Sequence, residues 1–350
     1  MRRLVTRSFL VVLLGLAGIE LALRLGMADF FEGRFEYGYH PRGGIVEANG
    51  EVTLARTGAR KFWPQKFPAA HPPQGLRIIT VGDSIPRGAS LEQSWPWLVG
   101  QQLRAQGVAT EAISLSIAGY GAERKRLLVE QALNWSPDLL ILQVGMSNEF
   151  EDERDLARAR EFQDWHPRHW PMKSWLVRRF YEFKHEMLFT KWLPDEVRRQ
   201  AAVNDGDVEA LAGQDPARVR AWRRQFEAVT ARTLAMAAAR DVPVLLVPRV
   251  QIEPTHTPVD FDDQGLRTIL EPALGNRVVW FDPARAFGVN PDPALFFRDH
   301  VHMHPPAHQV MAKAIAGEVL ALRAAGVVQP AVRTGLARAP EQARAPEQAR

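Results

Sequence analysis

Three short stretches carry side chains suited to chemistry. Gly82-Asp83-Ser84-Ile85 follows the apolar run Leu76 to Val81 and precedes a helical pattern. A serine at a strand-to-helix turn can hold its hydroxyl clear of the backbone, and the helix start beyond it supplies N–H groups for an oxyanion. The competing role for Ser84 is a helix N-cap. Asp299-His300-Val301-His302 comes just before the last helical pattern. A carboxylate three residues before a histidine can bond one ring nitrogen, fix the tautomer and leave the other nitrogen as a base. The alternatives there are a plain surface loop and a metal site, since His300, His302, His304 and His308 fall close together. With no cysteine in the chain, zinc would have to rely on histidines and carboxylates. Alternate histidines on a loop diverge unless something organises them, so no metal is expected. Gly145-Met146-Ser147-Asn148-Glu149 follows Leu139 to Val144. The Asn148 amide can donate to a developing oxyanion, or the stretch is simply a turn.

All three lie just beyond apolar runs, at the edge where open α/β sheets bind ligands. Leu76 to Val81, Val108 to Leu115, Leu139 to Val144, Val242 to Val247 and Arg277 to Phe281 read as strands. Helical patterns fall over Gln93 to Gln106, Ala122 to Asn134, Pro216 to Arg240 and Pro305 to Ala324. Strands alternating with helices predict a parallel sheet, and continuous apolar runs predict strands buried on both faces. Five strands are too few for a (β/α)₈ barrel. The expected fold is therefore α/β: a doubly wound, flavodoxin-like sandwich around a five-stranded parallel sheet, residues 75–327. An insertion, 150–214, holds Trp165, Trp170, Trp175 and Trp192 and a stripe of Leu176, Phe180, Phe183 and Met187. That stripe predicts a helix packed on the core; a lid or membrane-facing helix is the other reading.

The chain is 350 residues long, with 46% hydrophobic and 24% charged residues. This balance excludes a wholly disordered chain and a polytopic membrane protein. The absence of cysteine excludes disulfides and thiol nucleophiles. The net charge of +4 comes from scattered arginines rather than a basic stripe, so no nucleic-acid partner is expected. Arg2, Arg3 and Arg7 precede an apolar stretch from Phe9 to Leu25, broken by Glu20 and Arg24. Residues 1–28 therefore read as an export signal kept as a transmembrane anchor, a cleaved signal being the alternative. Basic residues ahead of the segment predict that the rest of the chain faces outward, into the periplasm. Residues 29–74 read as an irregular lead-in. The repeated ARAPEQ of the end makes 328–350 a disordered tail.

Gly82-Asp83-Ser84, the stretch Ser114 to Gly121, Asn148 after the third strand and Asp299-x-x-His302 together resemble the SGNH/GDSL hydrolases. The likeness runs from about Leu76 to Ala324. Three features depart from the family pattern: Ser114 and Ser116 stand where block two usually carries an Asn and a Gly, one more residue separates Gly145 from Asn148, and Glu149 stands where the family has Asp. That Asn-Glu variant looks like membrane-anchored members of the cell-envelope branch. The resemblance implies Ser84 as nucleophile, His302 as base and Asp299 as its orienter. It implies an oxyanion hole made of the Ser84 and Gly119 N–H groups and the Asn148 amide, with no metal and no organic cofactor. The expected activity is a serine esterase acting on an ester-bearing lipid or acylated envelope glycan. Two alternatives stay open: an O-acyltransferase on envelope polysaccharide, and a non-catalytic envelope binding protein on the same scaffold. No Gly-x-Ser-x-Gly elbow occurs, which sets aside the α/β-hydrolase relatives.

Overall fold

The computed structural model describes residues 2–26, 44–54, 62–145, 148–149, 152, 174–177, 180, 216–250, 266–275, 277–288 and 302–330. Five apolar runs form one parallel sheet: β4 (Leu76–Gly82), β5 (Thr110–Ser116), β6 (Leu139–Val144), β7 (Val244–Pro248) and β8 (Val278–Trp280). Their order is β5-β4-β6-β7-β8. Every residue of β4, β6 and β7 is buried. That burial on both faces is why these strands read as continuous apolar runs rather than alternating ones.

Helices cover each face. Ile79, Val81, Leu142 and Leu246 pack with α4 (Ala122–Ala132) and α5 (Pro216–Ala238). Ile78, Leu139, Ile141 and Leu245 pack with α3 (Trp95–Ala105) and α8 (Pro305–Ala324). Each fully buried Leu, Ile or Val contributes about 1.5–3 kcal/mol. Three short helices, α2 (Ser84–Arg87), α6 (Leu266–Leu270) and α7 (Ala284–Phe287), lie between these elements.

Two sequence expectations need correction. The lead-in is not irregular throughout: β1 (Ile45–Ala48), β2 (Glu51–Leu54) and β3 (Gln65–Pro68) form a three-stranded antiparallel sheet. These strands are four residues each, too short for a visible period, yet Val52, Leu54 and Phe67 enter the main core. The attachment is polar as well. Gln65 Nε2 donates to the Ser114 carbonyl and Gln65 Oε1 accepts from the Ser114 N–H, both at 2.9 Å, so the side chain caps the edge strand β5. The buried Arg77 guanidinium donates to the carbonyls of Pro68, Ala69, Ala70 and Trp135. The fold also runs past 327, because Val328 is fully buried against α8. Residues 331–350 of the expected tail lie outside the described residues.

Ahead of the sheet, α1 (Arg2–Gly26) contains one stretch, Thr6–Leu23, long and apolar enough to cross a membrane. None of that stretch is buried by the rest of the protein. Of the Trp-rich insertion only 152, 174–177 and 180 are described. Phe180 is 65% exposed, so at this position the expected packing on the core does not hold. Phe183, Met187, Trp165, Trp170 and Trp192 lie outside the described residues.

Candidate active site

The order of the sheet reverses at β4: the chain moves from β4 outward to β5, then returns to the other side of β4 for β6. Connections leaving β4 and β6 therefore diverge, which is the place where open α/β sheets bind ligands. Ser84 follows β4, and Gln143, Asn148 and Glu149 follow or end β6.

The turn that carries Ser84 is shaped by its neighbours. A side chain at Gly82 would bring its Cβ within 2.3 Å of Pro86 Cγ and 3.1 Å of Gln143 Cβ, so only glycine lets α2 fold back onto the strand end. The N-cap of α2 is Asp83, not Ser84: Asp83 Oδ1 accepts from the Ile85 N–H at 2.9 Å. This answers the N-cap alternative for Ser84. Its hydroxyl, released from capping, lies 2.9 Å from His302 Nε2. His302 sits just ahead of α8, so two positions more than two hundred residues apart meet where two elements end. Trp63, from the lead-in, donates to the Arg87 carbonyl at 2.9 Å, while the Arg87 guanidinium stacks 3.9 Å from the Trp63 ring. The lead-in thereby holds the last turn of α2.

Behind the serine lies a buried polar network that sequence reasoning missed. Lys125 Nζ donates to Asp83 Oδ2 at 3.2 Å, to Gln143 Oε1 at 2.8 Å and to the Gln143 carbonyl at 3.3 Å. Asp83, Lys125 and Gln143 are all buried. An ammonium in such a place needs this full set of acceptors. One signal was available in the sequence: Gln143 is the single polar residue of β6. Asn148 Nδ2 points at the same carboxylate, 3.4 Å from Asp83 Oδ2, a long and weak contact.

A second network fixes the loop after β5. Asp152 accepts from the Gly121 N–H at 2.9 Å, from the Arg124 N–H at 3.1 Å and from Arg124 Nε, while Arg124 Nη2 donates to the Gly119 carbonyl. Gly119 has φ +73°, a conformation that favours glycine. A Cβ on Gly121 would meet the Asn148 carbonyl and the Asp152 carboxylate, both at 2.7 Å. The loops carrying Gly119 and Asn148 thus touch backbone to backbone. Of the expected site residues, Ser84 and His302 are in contact, while Gly119 and Asn148 sit on the adjoining loops. Asp299 lies outside the described residues. His302, His304 and His308 do not converge: His308 is buried and accepts from the Trp95 N–H at 3.3 Å. Among the described residues no group of three or more His, Asp or Glu is arranged to hold a metal ion.

Glu149, beside Asn148, is buried and accepts from the Ala122 N–H at 3.3 Å. Burial pushes its carboxyl up to about 7, and the Asp152 charge pushes the same way; Lys125 and two backbone hydrogen bonds oppose them. Since the folded value lies above the ordinary 4.5, this group favours the folded state most below about pH 4.5, and that contribution is lost as pH rises through 7. The difference is on the order of 3 kcal/mol. Glu149→Gln, a neutral isostere, should cancel this slope. Urea midpoints at pH 5 and pH 8 should converge in the variant and separate in the parent, the parent being the weaker at pH 8. Parallel profiles would mean that Glu149 is not protonated in the fold at pH 5 to 6.

No protein-family model matches this chain, and no curated protein matches it. Solved structures do. A GDSL-like lipase from Bacteroides thetaiotaomicron is 14% identical over 71% of this chain and 88% of its own, with a TM-score of 0.36. The psychrotrophic esterase EstA from Pseudoalteromonas sp. is 12% identical over 71% of this chain and 98% of its own, with a TM-score of 0.40. TesA is 17% identical over 70% of this chain and 99% of its own, with a TM-score of 0.41. Likenesses at this level assign no activity.

Proposed function

We propose that this chain is a serine esterase that cleaves carboxylic esters of lipid or acylated envelope glycan through an acyl-serine intermediate. The observation that carries this reading is the 2.9 Å contact between His302 Nε2 and Ser84 Oγ at the C-terminal edge of the sheet. The strand order, read as the flavodoxin-like doubly wound arrangement, supports it, because ligands bind such sheets where the order reverses.

In this mechanism His302 takes the Ser84 proton as the hydroxyl oxygen attacks the ester carbonyl. The carbonyl π electrons move to oxygen, and the resulting oxyanion is held by the Ser84 and Gly119 N–H groups and the Asn148 amide. Collapse breaks the bond to the alcohol, which leaves with the proton from His302. Water then attacks the acyl-serine, His302 again carrying the proton, and releases the acid. Asp299 orients the His302 ring throughout. The Asp83–Lys125–Gln143 network keeps the turn under Ser84 rigid, so little reorganisation is needed as charge develops.

The helix α1 anchors the domain in a membrane, with Arg2, Arg3 and Arg7 on the cytoplasmic side and the site outside. A reporter fused after Arg350 should work only if it is one that functions outside the cytoplasm. A fusion active only in the cytoplasm would reverse the orientation.

The deciding experiment is covalent labelling with a fluorophosphonate probe, which reports an activated serine without assuming the natural ester. The full chain should label at Ser84, shown by peptide mass mapping, and His302→Ala should not label. A chain that leaves Ser84 unmodified while folded is a binding protein or uses another chemistry.

A further inference from the structure

Glu20 is the one acidic residue in the apolar stretch Thr6–Leu23. A carboxylate at membrane depth is costly unless its oxygens are bonded. Here they are. Glu20 Oε1 accepts from the Trp175 N–H at 3.0 Å, and Oε2 accepts from Ser174 Oγ at 2.8 Å and the Leu176 N–H at 2.9 Å. Ser174 Oγ also accepts from the Val177 N–H at 3.3 Å, so Ser174 caps the helical turn that Glu20 holds. Three bonds to one side chain tie residues 174–176 of the insertion to α1 at a fixed height.

That height follows from helix geometry. Glu20 lies three residues before the end of the stretch, roughly 4–5 Å at a helical rise of about 1.5 Å per residue. If α1 spans the bilayer, Ser174, Trp175 and Leu176 lie at its outer boundary. Tryptophan is enriched at that level. Phe180, one turn beyond Leu176, is 65% exposed. The apolar residues Phe9 to Leu16 of α1 are likewise exposed, and no residue of Thr6–Leu23 is buried.

We infer that the insertion contacts the membrane at residues 174–177 and 180: this part enters the outer lipid interface beside α1, with the exposed Phe180 facing the bilayer, the half-buried Trp175 and Leu176 at its boundary and Glu20 fixing its depth. The domain is then held at two points, which sets its orientation to the lipid surface. This inference rests on the reading of α1 as a transmembrane anchor.

The chain has no cysteine, so single cysteines can be labelled cleanly. Leu14→Cys, Phe180→Cys and Arg232→Cys, each in the full chain, carry an environment-sensitive fluorophore and are reconstituted in phosphatidylglycerol–phosphatidylethanolamine vesicles. Leu14 lies within α1, and Arg232 is an exposed residue on α5. A urea unfolding transition matching the parent's checks that each variant is folded. The label at Phe180 should be blue-shifted, quenched by shallow spin-labelled lipid several-fold more than the label at Arg232, and shielded from aqueous iodide. With Glu20→Leu added, that lipid quenching should fall toward the Arg232 level. A Phe180 label open to iodide, or shielded from both quenchers because protein covers it, overturns the inference. The label at Leu14 separates the two readings: if deep spin-labelled lipid fails to quench it, the anchor reading falls; if it is quenched and Phe180 is not, only the membrane contact of the insertion falls.

Discussion

Ser84→Ala and His302→Ala should each lose turnover of a short-chain aryl ester by roughly 10⁴-fold or more, and the double variant should be little worse than either. The two groups act as one device, since the Ser84 hydroxyl is a poor nucleophile until the His302 nitrogen, 2.9 Å away, takes its proton. Removing either leaves the other with nothing to do, so the losses do not add. Folding should shift by only about 0.5–1.5 kcal/mol, the usual contribution of one hydrogen bond. The α2 turn keeps its shape in Ser84→Ala because Asp83 caps it. Steady-state kinetics beside a urea titration separates the two effects. Substantial activity in Ser84→Ala sinks the assignment. Activity abolished by a chelator would point instead to a metal.

What could be read in the sequence divides along a physical line. β4, β6 and β7 are legible because helices cover both faces, leaving runs of apolar residues with no polar side to hide them. The meeting of Ser84 and His302 is legible because each borders a regular element, Ser84 after β4 and His302 ahead of α8, within a recognisable local pattern. The meander β1 to β3 is not, since four-residue strands carry too few positions to show a period. Lys125 is not legible either. It lies within an ordinary helix, and its partners Asp83 and Gln143 become neighbours only when β4, β6 and α4 pack. The same holds for Asp152, whose bonds to Gly121 and Arg124 depend on two loops meeting. Long-range polar networks leave almost no local signature; the lone Gln143 in an apolar strand was the exception.

Asn148 offers the sharper test, because its side chain and its backbone do different work. The backbone carbonyl accepts from the Asp152 N–H at 3.0 Å, and this bond survives any substitution that keeps the turn. Among the described residues the side-chain amide makes only the 3.4 Å contact to Asp83 Oδ2, so little there holds it back from a stronger acceptor. An oxyanion is such an acceptor, and it exists only near the transition state. Asn148→Ala should therefore lower kcat about 10²–10³-fold, roughly 3–4 kcal/mol, with KM nearly unchanged. Asn148→Asp should be at least as damaging. Its carboxylate would repel the oxyanion, and it would also crowd Asp83, whose charge Lys125 already balances one to one. A turn asparagine predicts the reverse pattern: near-normal kcat, a small loss of stability, and Asp well tolerated. Measuring kcat and KM for both variants, with urea midpoints alongside, distinguishes the two. If Asn148→Asp keeps most of its activity, the loop after β6 does not supply the oxyanion donor. The Ser84 and Gly119 N–H groups would then carry that charge without it.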